Sequence, residues 1–396
     1  MLKSSRPTYR AALAIALTVI ITIASSRLRA DTGMCGGAAI TLPFTDVAAG
    51  NIFFCSIAEA YFSALTNGTT PTTFSPSDPV PREQMAAFIT RTLDQSLKRG
   101  SRRAALDQFW TPQSPGFLPQ TFVGPNPRLV KSDGTDIWVA SQGAGTVTRV
   151  RASDGNPYQT WSGATQAFGV LSAFGVVFVT GQTTPGSLYE IFPSSMPGAV
   201  SALSNALGNF PTGIAFDGAN IWTANNGGSV SKVTLSPLSV TNITSGFNTP
   251  NGILFDGANI WVTDHGANSL LKLDAAGTVI QTVPVGSNPE FPIFDGTNIW
   301  VPNLLGGTTT VVRASSGAVL ATLSGNGISN PIQAAFDGQR ILITNFGGDS
   351  VSLWKASDLT PLGSFSVGSG NHPYGVCSDG INFWIAFNAT DFLTRF

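Results

Sequence analysis

Three residues on two neighbouring loops, Asp264, His265 and Glu290, are the candidates for chemistry in this sequence. Asp264 and His265 end one predicted strand, and Glu290 precedes the first strand of the next repeat. Carboxylate and imidazole groups together can hold a divalent metal ion, so one hypothesis is a metal site. The alternative is that all three are solvated loop residues, since the only other histidine, His372, lies three repeats further on.

Other functional classes find little support in the composition. The chain has no nucleophile elbow, no phosphate-binding glycine loop and no zinc-spaced pair of cysteines or histidines. Its net charge of −1 argues against general binding of polyanions, and we expect no nucleic-acid partner. Only 11% of its 396 residues are charged and 43 are glycine, a composition that fits an exported all-β protein with polar loops.

The elements that would position these residues are repeats. The clearest copy reads FDGANIWVTD at Phe255–Asp264, and the pattern recurs about every 40 residues, the spacing typical of a β-propeller. The centres of the seven copies are Trp138, Phe178, Trp222, Trp261, Trp300, Leu342 and Trp384. The sequence therefore predicts a mainly β fold, a seven-bladed β-propeller.

Each copy predicts a hairpin between the first two strands of a blade. Asp-Gly supplies the positive-φ residues of a two-residue primed turn, and the β-branched and aromatic run after it predicts a strand buried on both faces. The last copy is followed by too little chain for a fourth strand, whereas FLPQTFVG at 117–124 resembles a fourth strand and precedes the first copy. We therefore expect this N-terminal segment to complete the seventh blade, so that residues 117–396 form a closed ring.

The residues just before the first strands should surround the mouth of the central channel, on the face opposite the Asp-Gly turns. They are Arg128, Phe168, Thr212, Asn251, Glu290, Ile332 and Tyr374. The residue type at this position differs from blade to blade. This fits either a specific ligand or random divergence of a face that has no function. As the ligand-binding residues we take Arg128, Thr212, Asn251, Glu290 and Tyr374.

The repeat resembles the YVTN, NHL-like and virginiamycin B lyase-like propellers over about 280 residues. The shared pattern is Pro-x-Gly-Ile before the Asp-Gly turn and Trp-Val-Thr-Asn after it. The lyase-like members use a magnesium ion held by His and Glu near the channel mouth to perform an elimination on a cyclic lactone. In this sequence the resemblance assigns that role to Asp264, His265 and Glu290.

Residues 35–110 do not follow the repeat pattern. An apolar helical pattern runs from Ile57 to Leu65, and a second helix is predicted after the turn at Ser77–Pro79, with Pro81 in an early helical position. Its apolar stripe is Met85, Phe88, Ile89 and Leu93.

This region resembles the S-layer homology (SLH) family of helix–loop–helix modules that hold exported proteins to cell-wall polymers. The matching positions are Phe44, Asp46, Val47, Phe74, Pro76, Val80, Arg82, Glu83, Met85, Ala87, Phe88 and Arg91. The family motif Thr-Arg-Ala-Glu stands here as Pro81-Arg82-Glu83-Gln84, and the resemblance implies that Arg82 grips an anionic glycan. The alternative is a small helical cap or a dimerisation module.

Residues 1–30 predict a secretory signal, with a basic start and an apolar core from Ala11 to Ala24. An uncleaved signal would act as a membrane anchor instead. Outside the cytoplasm Cys35 and Cys55 can pair, or they remain two free thiols. A turn-rich linker at 111–116 precedes the propeller.

These observations predict an exported, extracytoplasmic or envelope-associated protein. Its propeller would serve as a binding platform for a cell-envelope glycan or protein, with no cofactor. The alternative is a magnesium-dependent lyase or hydrolase.

Overall fold

The computed structural model describes residues 32–35, 38–98 and 120–396 of the chain. The predicted signal at 1–30 and the linker at 111–116 lie outside these residues. No helix within the described ranges is long and apolar enough to cross a membrane.

The N-terminal module, which we define as the described residues from 32 to 98, contains a hairpin and two helices. Strand β1 (Thr32–Cys35) pairs antiparallel with β2 (Ala38–Thr41), and the helices are α1 (Phe54–Phe62) and α2 (Arg82–Lys98). A disulfide joins Cys35 in β1 to Cys55 in α1. Of the two alternatives, a disulfide or two free thiols, the structure therefore has the disulfide.

The rest of the described chain forms seven four-stranded antiparallel sheets, the blades of a propeller. Strand β3 is Thr121–Phe122. Blades 1 to 3 comprise β4 (Pro127–Ser132), β5 (Asp136–Ser141), β6 (Thr146–Arg151), β7 (Pro157–Ser162), β8 (Ala167–Ala173), β9 (Val176–Gly181), β10 (Gly186–Ile191), β11 (Ala202–Leu207), β12 (Pro211–Phe216), β13 (Asn220–Asn225), β14 (Ser229–Leu235) and β15 (Leu238–Ile243).

Blades 4 to 7 follow the same plan, with a 3₁₀ turn at Phe346–Gly348. They comprise β16 (Pro250–Phe255), β17 (Ile260–Asp264), β18 (Ser269–Leu273), β19 (Val279–Pro284), β20 (Ile293–Phe294), β21 (Asn298–Asn303), β22 (Thr308–Arg313), β23 (Val319–Leu323), β24 (Pro331–Phe336), β25 (Arg340–Asn345), β26 (Ser350–Lys355), β27 (Pro361–Ser366), β28 (Pro373–Ser378), β29 (Phe383–Phe387) and β30 (Phe392–Arg395).

Blade 7 is completed from the other end of the chain, as the sequence predicts. Strand β3 pairs antiparallel with β30, Thr121 facing Leu393 and Phe122 facing Phe392. The N–H of Val123 adds a bond to the carbonyl of Asp391. The ring therefore closes with a mixed blade, which confirms the predicted fold class.

The aspartate of each Asp-Gly turn is a hydrogen-bonding centre. In blade 4, Asp256 Oδ1 accepts the backbone N–H groups of Ala258 and Asn259, while Oδ2 accepts the indole N–H of Trp261 at 2.7 Å. The positive φ of the turn belongs to Gly257 alone, so the prediction that Asp and Gly share it is wrong. Asp is required for a different reason, since it ties the turn to the buried tryptophan.

The same Asp–Trp bond occurs in blades 1, 3, 5 and 7. The second strands that carry these tryptophans are buried on both faces, as in β5, β17 and β21, which confirms their predicted burial. Each tryptophan is at most 1% exposed. Their role is packing within the ring.

A cation on the third strand of four blades joins that blade to the next one. In blade 3, Lys232 Nζ lies 5.1 Å from the ring centre of Trp222 and donates to the carbonyl of Ala275 in blade 4 at 2.7 Å. The corresponding cations in blades 4, 7 and 1 are Lys272, Arg395 and Arg149. They donate to the carbonyls of Ala314, Ala152 and Pro193, respectively, in the next blade. Each cation–π contact is worth about 0.5–1 kcal/mol at a partly exposed site.

Blades 5 and 6 carry an apolar residue at this position. Trp300 faces Val311 in blade 5, and Leu342 faces Leu353 in blade 6. The module residues Phe44 and Phe62 join one buried cluster with Trp300 and Val311. In blade 5 an apolar side chain thus stands in place of the cation where the module packs.

Arg313 is the principal polar link between module and propeller. Its Nη2 donates to the carbonyl of Tyr61 at 2.6 Å and its Nη1 to that of Phe62 at 3.3 Å, both at the C-terminal end of α1. Asn298 donates to the same Phe62 carbonyl at 3.0 Å. The orphaned carbonyls of a helix end carry partial negative charge, so a guanidinium is well suited to bind them.

Candidate functional site

The predicted mouth residues do come together at the axis of the ring, and their side chains close it. Phe168 of blade 2 lies 6.0 Å from Phe291 of blade 5, ring centre to ring centre, and both rings lie 6.2 Å from Tyr374 of blade 7. Leu129 and Ile332 complete this apolar cluster. Because side chains from opposite blades touch one another, we call this cluster the plug.

Arg128 lies over the plug. The guanidinium carbon is 4.9 Å from the ring centre of Tyr374 and 5.4 Å from that of Phe168. Its Nε donates to Gln142 at 2.7 Å, and Gln142 donates in turn to Gln182 at 2.7 Å. The cation is therefore held by aromatic faces and an amide chain.

Glu290 is the buried anion of the mouth, with only 4% of its surface exposed. Its Oε2 accepts from Asn251 Nδ2 at 2.8 Å, and its Oε1 lies 3.2 Å from His265 Nε2. Thr212 supports Asn251 from behind, because its hydroxyl donates to the Asn251 backbone carbonyl at 2.7 Å. Four of the predicted residues thus form one connected group.

Tyr374 connects the two charged groups. Burial raises the pKa of its phenol, and the negative charge of Glu290 raises that pKa further, while Arg128 acts in the opposite direction. The net shift is upward, so this tyrosine stays a neutral phenol at physiological pH. It cannot serve as a phenolate base in this state.

Asp264 does not belong to this group. Its carboxylate accepts the backbone N–H groups of Asn248, Thr249 and Ala267 at 2.7–3.1 Å and is fully buried. The carboxylate holds together the loops on either side of it. Asn225, Asn303 and Asn345, at the same position in their blades, also turn their amides inward to hydroxyls of the next strand.

The predicted magnesium ligands therefore do not fit a metal site. The Asp264 carboxylate is fully buried and already accepts three backbone N–H groups, and one oxygen of Glu290 is held by Asn251. Within the part of the chain that the structure describes, no three His, Cys, Asp or Glu side chains are gathered where they could hold a metal ion. His372 has separate contacts, stacking on Phe346 at 4.8 Å.

Arg82 is exposed at the start of α2. A cavity of ≈ 500 Å³ lies between α2 and the loop from Thr66 to Pro76, and its lining includes Arg91. Arg82 is not among the lining residues, although it lies in the same first turn of α2 as Glu83 and Gln84. The predicted glycan role of Arg82 remains a prediction.

Sequence reasoning missed the cavity within the ring. It has a volume of ≈ 500 Å³ and extends along the first strands of all seven blades to the Asp-Gly face. At that end its lining residues directly precede the turns; they are Ser132, Ser172, Phe216, Phe255, Phe294, Phe336 and Ser378. The channel is thus blocked by the plug at the predicted mouth and accessible from the opposite face.

The chain matches no protein-family model and no curated protein. Solved structures share its fold. A streptogramin B lyase is 15% identical with a TM-score of 0.58, over 70% of this chain and 97% of the lyase. Virginiamycin B lyase from Staphylococcus aureus is 16% identical with a TM-score of 0.58, over 71% and 99% of the two chains.

A third similar structure is that of hydrazine synthase from Kuenenia stuttgartiensis. It is 18% identical with a TM-score of 0.59, over 72% of this chain and 99% of that chain. At such identities the likeness establishes the propeller fold alone, because propellers carry unrelated functions.

Proposed function

We propose that this chain is an exported protein of the cell envelope whose propeller binds a partner without catalysing a reaction. The observation that carries the proposal is that the ionisable side chains at the mouth engage one another. Arg128 is held between two rings and an amide, and Glu290 accepts from Asn251 and lies 3.2 Å from His265. A catalytic acid or base needs a proton-transfer partner on the substrate, whereas these groups are directed at their neighbours.

The envelope location is supported by the disulfide and by the composition. The bond between Cys35 and Cys55 is of a kind that persists in oxidising compartments and is rare in the cytosol. A charged fraction of 11% and a predicted signal at 1–30 agree with export.

Attachment would come from the N-terminal module. Arg313 and Asn298 fix α1 to blade 5, so anything bound by the module is coupled to the propeller. The exposed Arg82 is the residue through which we expect the module to bind an anionic envelope glycan, with an envelope protein as the other possible partner of the platform.

The test is sedimentation of the purified protein with isolated cell envelopes. Arg82→Ala should weaken binding at least about tenfold, because a charge-assisted hydrogen bond is worth about 1.5–3 kcal/mol. The fold should be unaffected, since Arg82 is exposed.

Arg151→Ala is the control, because it removes another exposed cation, 46% of whose side chain is accessible, from blade 1. It should sediment as the unaltered protein does. Equal sedimentation of Arg82→Ala and the unaltered protein would remove the module from the attachment proposal.

A further inference from the structure

One cation lies in an otherwise apolar ring inside the channel. Lys131 faces Trp138 in blade 1, and the residues that face the central residue of the other six blades are Leu171, Ala215, Leu254, Ile293, Ala335 and Cys377. All seven line the same cavity. A repeat that needed only to pack would carry an apolar residue here, as the other six blades do.

The ammonium group of Lys131 is solvated and unpaired. Its side chain is exposed, and within the described ranges it has no hydrogen-bond or ion-pair partner. Lys131 lines the cavity together with Cys377 of the neighbouring blade 7. Among the described residues that line the cavity, it is the only charged one.

Most of the other side chains that line the cavity are apolar. The polar side chains beyond Lys131 are those of Ser132, Ser172, Ser378, Gln333 and Cys377, and the edges of the first strands add backbone polar groups. A volume of ≈ 500 Å³ lies within the range of about 300–1,000 Å³ typical of small-molecule sites. About four residues of each first strand line it, a depth of roughly 13 Å at 3.3 Å per residue.

We propose that this channel binds a free aliphatic carboxylic acid, with the chain directed towards the plug and the carboxylate on Lys131. The charge complementarity selects an acid over an amine or an alcohol. No described residue of the N-terminal module lines the cavity. We therefore take the Asp-Gly face as the entrance for the ligand. The proposal deepens the binding role proposed above and requires no attachment to the envelope, so each can fail without the other.

The experiment is calorimetric titration of the whole purified protein with sodium decanoate, and with 1-decanol and decylammonium as neutral and cationic probes. Decanoate should bind with 1:1 stoichiometry and at least about tenfold more tightly than either other probe. Lys131→Leu should reduce decanoate affinity about tenfold or more and leave decanol affinity unchanged. This variant places in blade 1 the residue that blades 2 and 4 carry, so it should fold.

Two further variants control for volume and for charge. Ala215→Leu combined with Ala335→Leu fills the cavity with residues that other blades already carry, and it should weaken both decanoate and decanol. Arg151→Leu removes a cation of blade 1 outside the channel and should change nothing. No saturable binding of decanoate, unchanged affinity in Lys131→Leu, or equal affinity for decanoate and decylammonium would each overturn the proposal.

Discussion

Replacing Arg313 with alanine is expected to free α1 from the propeller and to lower the free energy of unfolding of the docked module by about 3–6 kcal/mol. Two charge-assisted bonds to the Tyr61 and Phe62 carbonyls disappear, each worth about 1.5–3 kcal/mol. The guanidinium also stacks on the Tyr61 ring at 5.4 Å. Because only 7% of Arg313 is exposed, water cannot easily replace these contacts.

Hydrogen exchange of the α1 amides, residues 54–62, measures this release. Exchange there should accelerate in Arg313→Ala while the second strands of blades 1 to 4 stay protected. Arg313→Lys should have an intermediate effect, since an ammonium keeps the charge but loses the two-pronged geometry. Arg340→Ala is the matched control, because Arg340 bonds Asp337 and lies over Phe383 within the propeller. Unchanged α1 exchange in Arg313→Ala would show that apolar packing alone holds the module.

The second large effect is expected at the Asp–Trp bond of blade 5. Asp295→Ala should lower the free energy of unfolding by roughly 3 kcal/mol or more, since three donors lose an acceptor at about 1–3 kcal/mol each. They are the N–H groups of Thr297 and Asn298 and the indole of Trp300. All three residues are at most 8% exposed, so water cannot compensate.

Asp256→Ala in blade 4 is the comparison, because it breaks the same set of bonds under a less covered turn. Ala258 is exposed and Asn259 is half-buried, so their N–H groups can turn to water and only the Trp261 indole is left unsatisfied. Its cost should be roughly 1–3 kcal/mol. Urea unfolding followed by tryptophan fluorescence gives both values. Equal losses in the two variants would contradict the claim that burial of the blade 5 turn raises the cost of losing its aspartate.

The repeat made the architecture predictable. A period of about 40 residues fixed the number of blades, and the fourth-strand pattern at 117–124 fixed how they close, which the pairing of β3 with β30 confirms. These features depend on local patterns that recur, so each copy supports the others.

The role of the glycine in the Asp-Gly turn was predicted, but the role of the aspartate was not. Gly257 supplies the positive φ, but the aspartate before it is needed for its three hydrogen bonds. The constant spacing of five residues between Asp and Trp carries this information, since it recurs in blades 1, 3, 4, 5 and 7.

The direction of single side chains could not be predicted. Asp264 and Glu290 both lie in loops at the mouth, yet Asp264 turns to three backbone N–H groups and Glu290 turns to Asn251 and His265. Which way a carboxylate turns depends on the donors that the folded loops present, and no spacing rule encodes them. The docking of α1 was hidden for a related reason, because Arg313 is separated from Phe62 by most of the chain.

Other features were present in the sequence and could have been found by aligning the copies. Lys131 occupies a position that is apolar in the six other blades, and blades 5 and 6 lack the cation that faces tryptophan in blades 1, 3, 4 and 7. Departures from a repeat identify the residues that packing does not explain.

The central claim, that the mouth residues hold one another rather than a catalytic metal, is tested most directly by titrating the purified protein with Mg²⁺ in a calorimeter. We predict no saturable heat for the unaltered protein and the same result for His265→Ala, because Asp264 and Glu290 are already engaged. Stoichiometric Mg²⁺ binding that is lost in His265→Ala would contradict the account and favour the metal-dependent lyase.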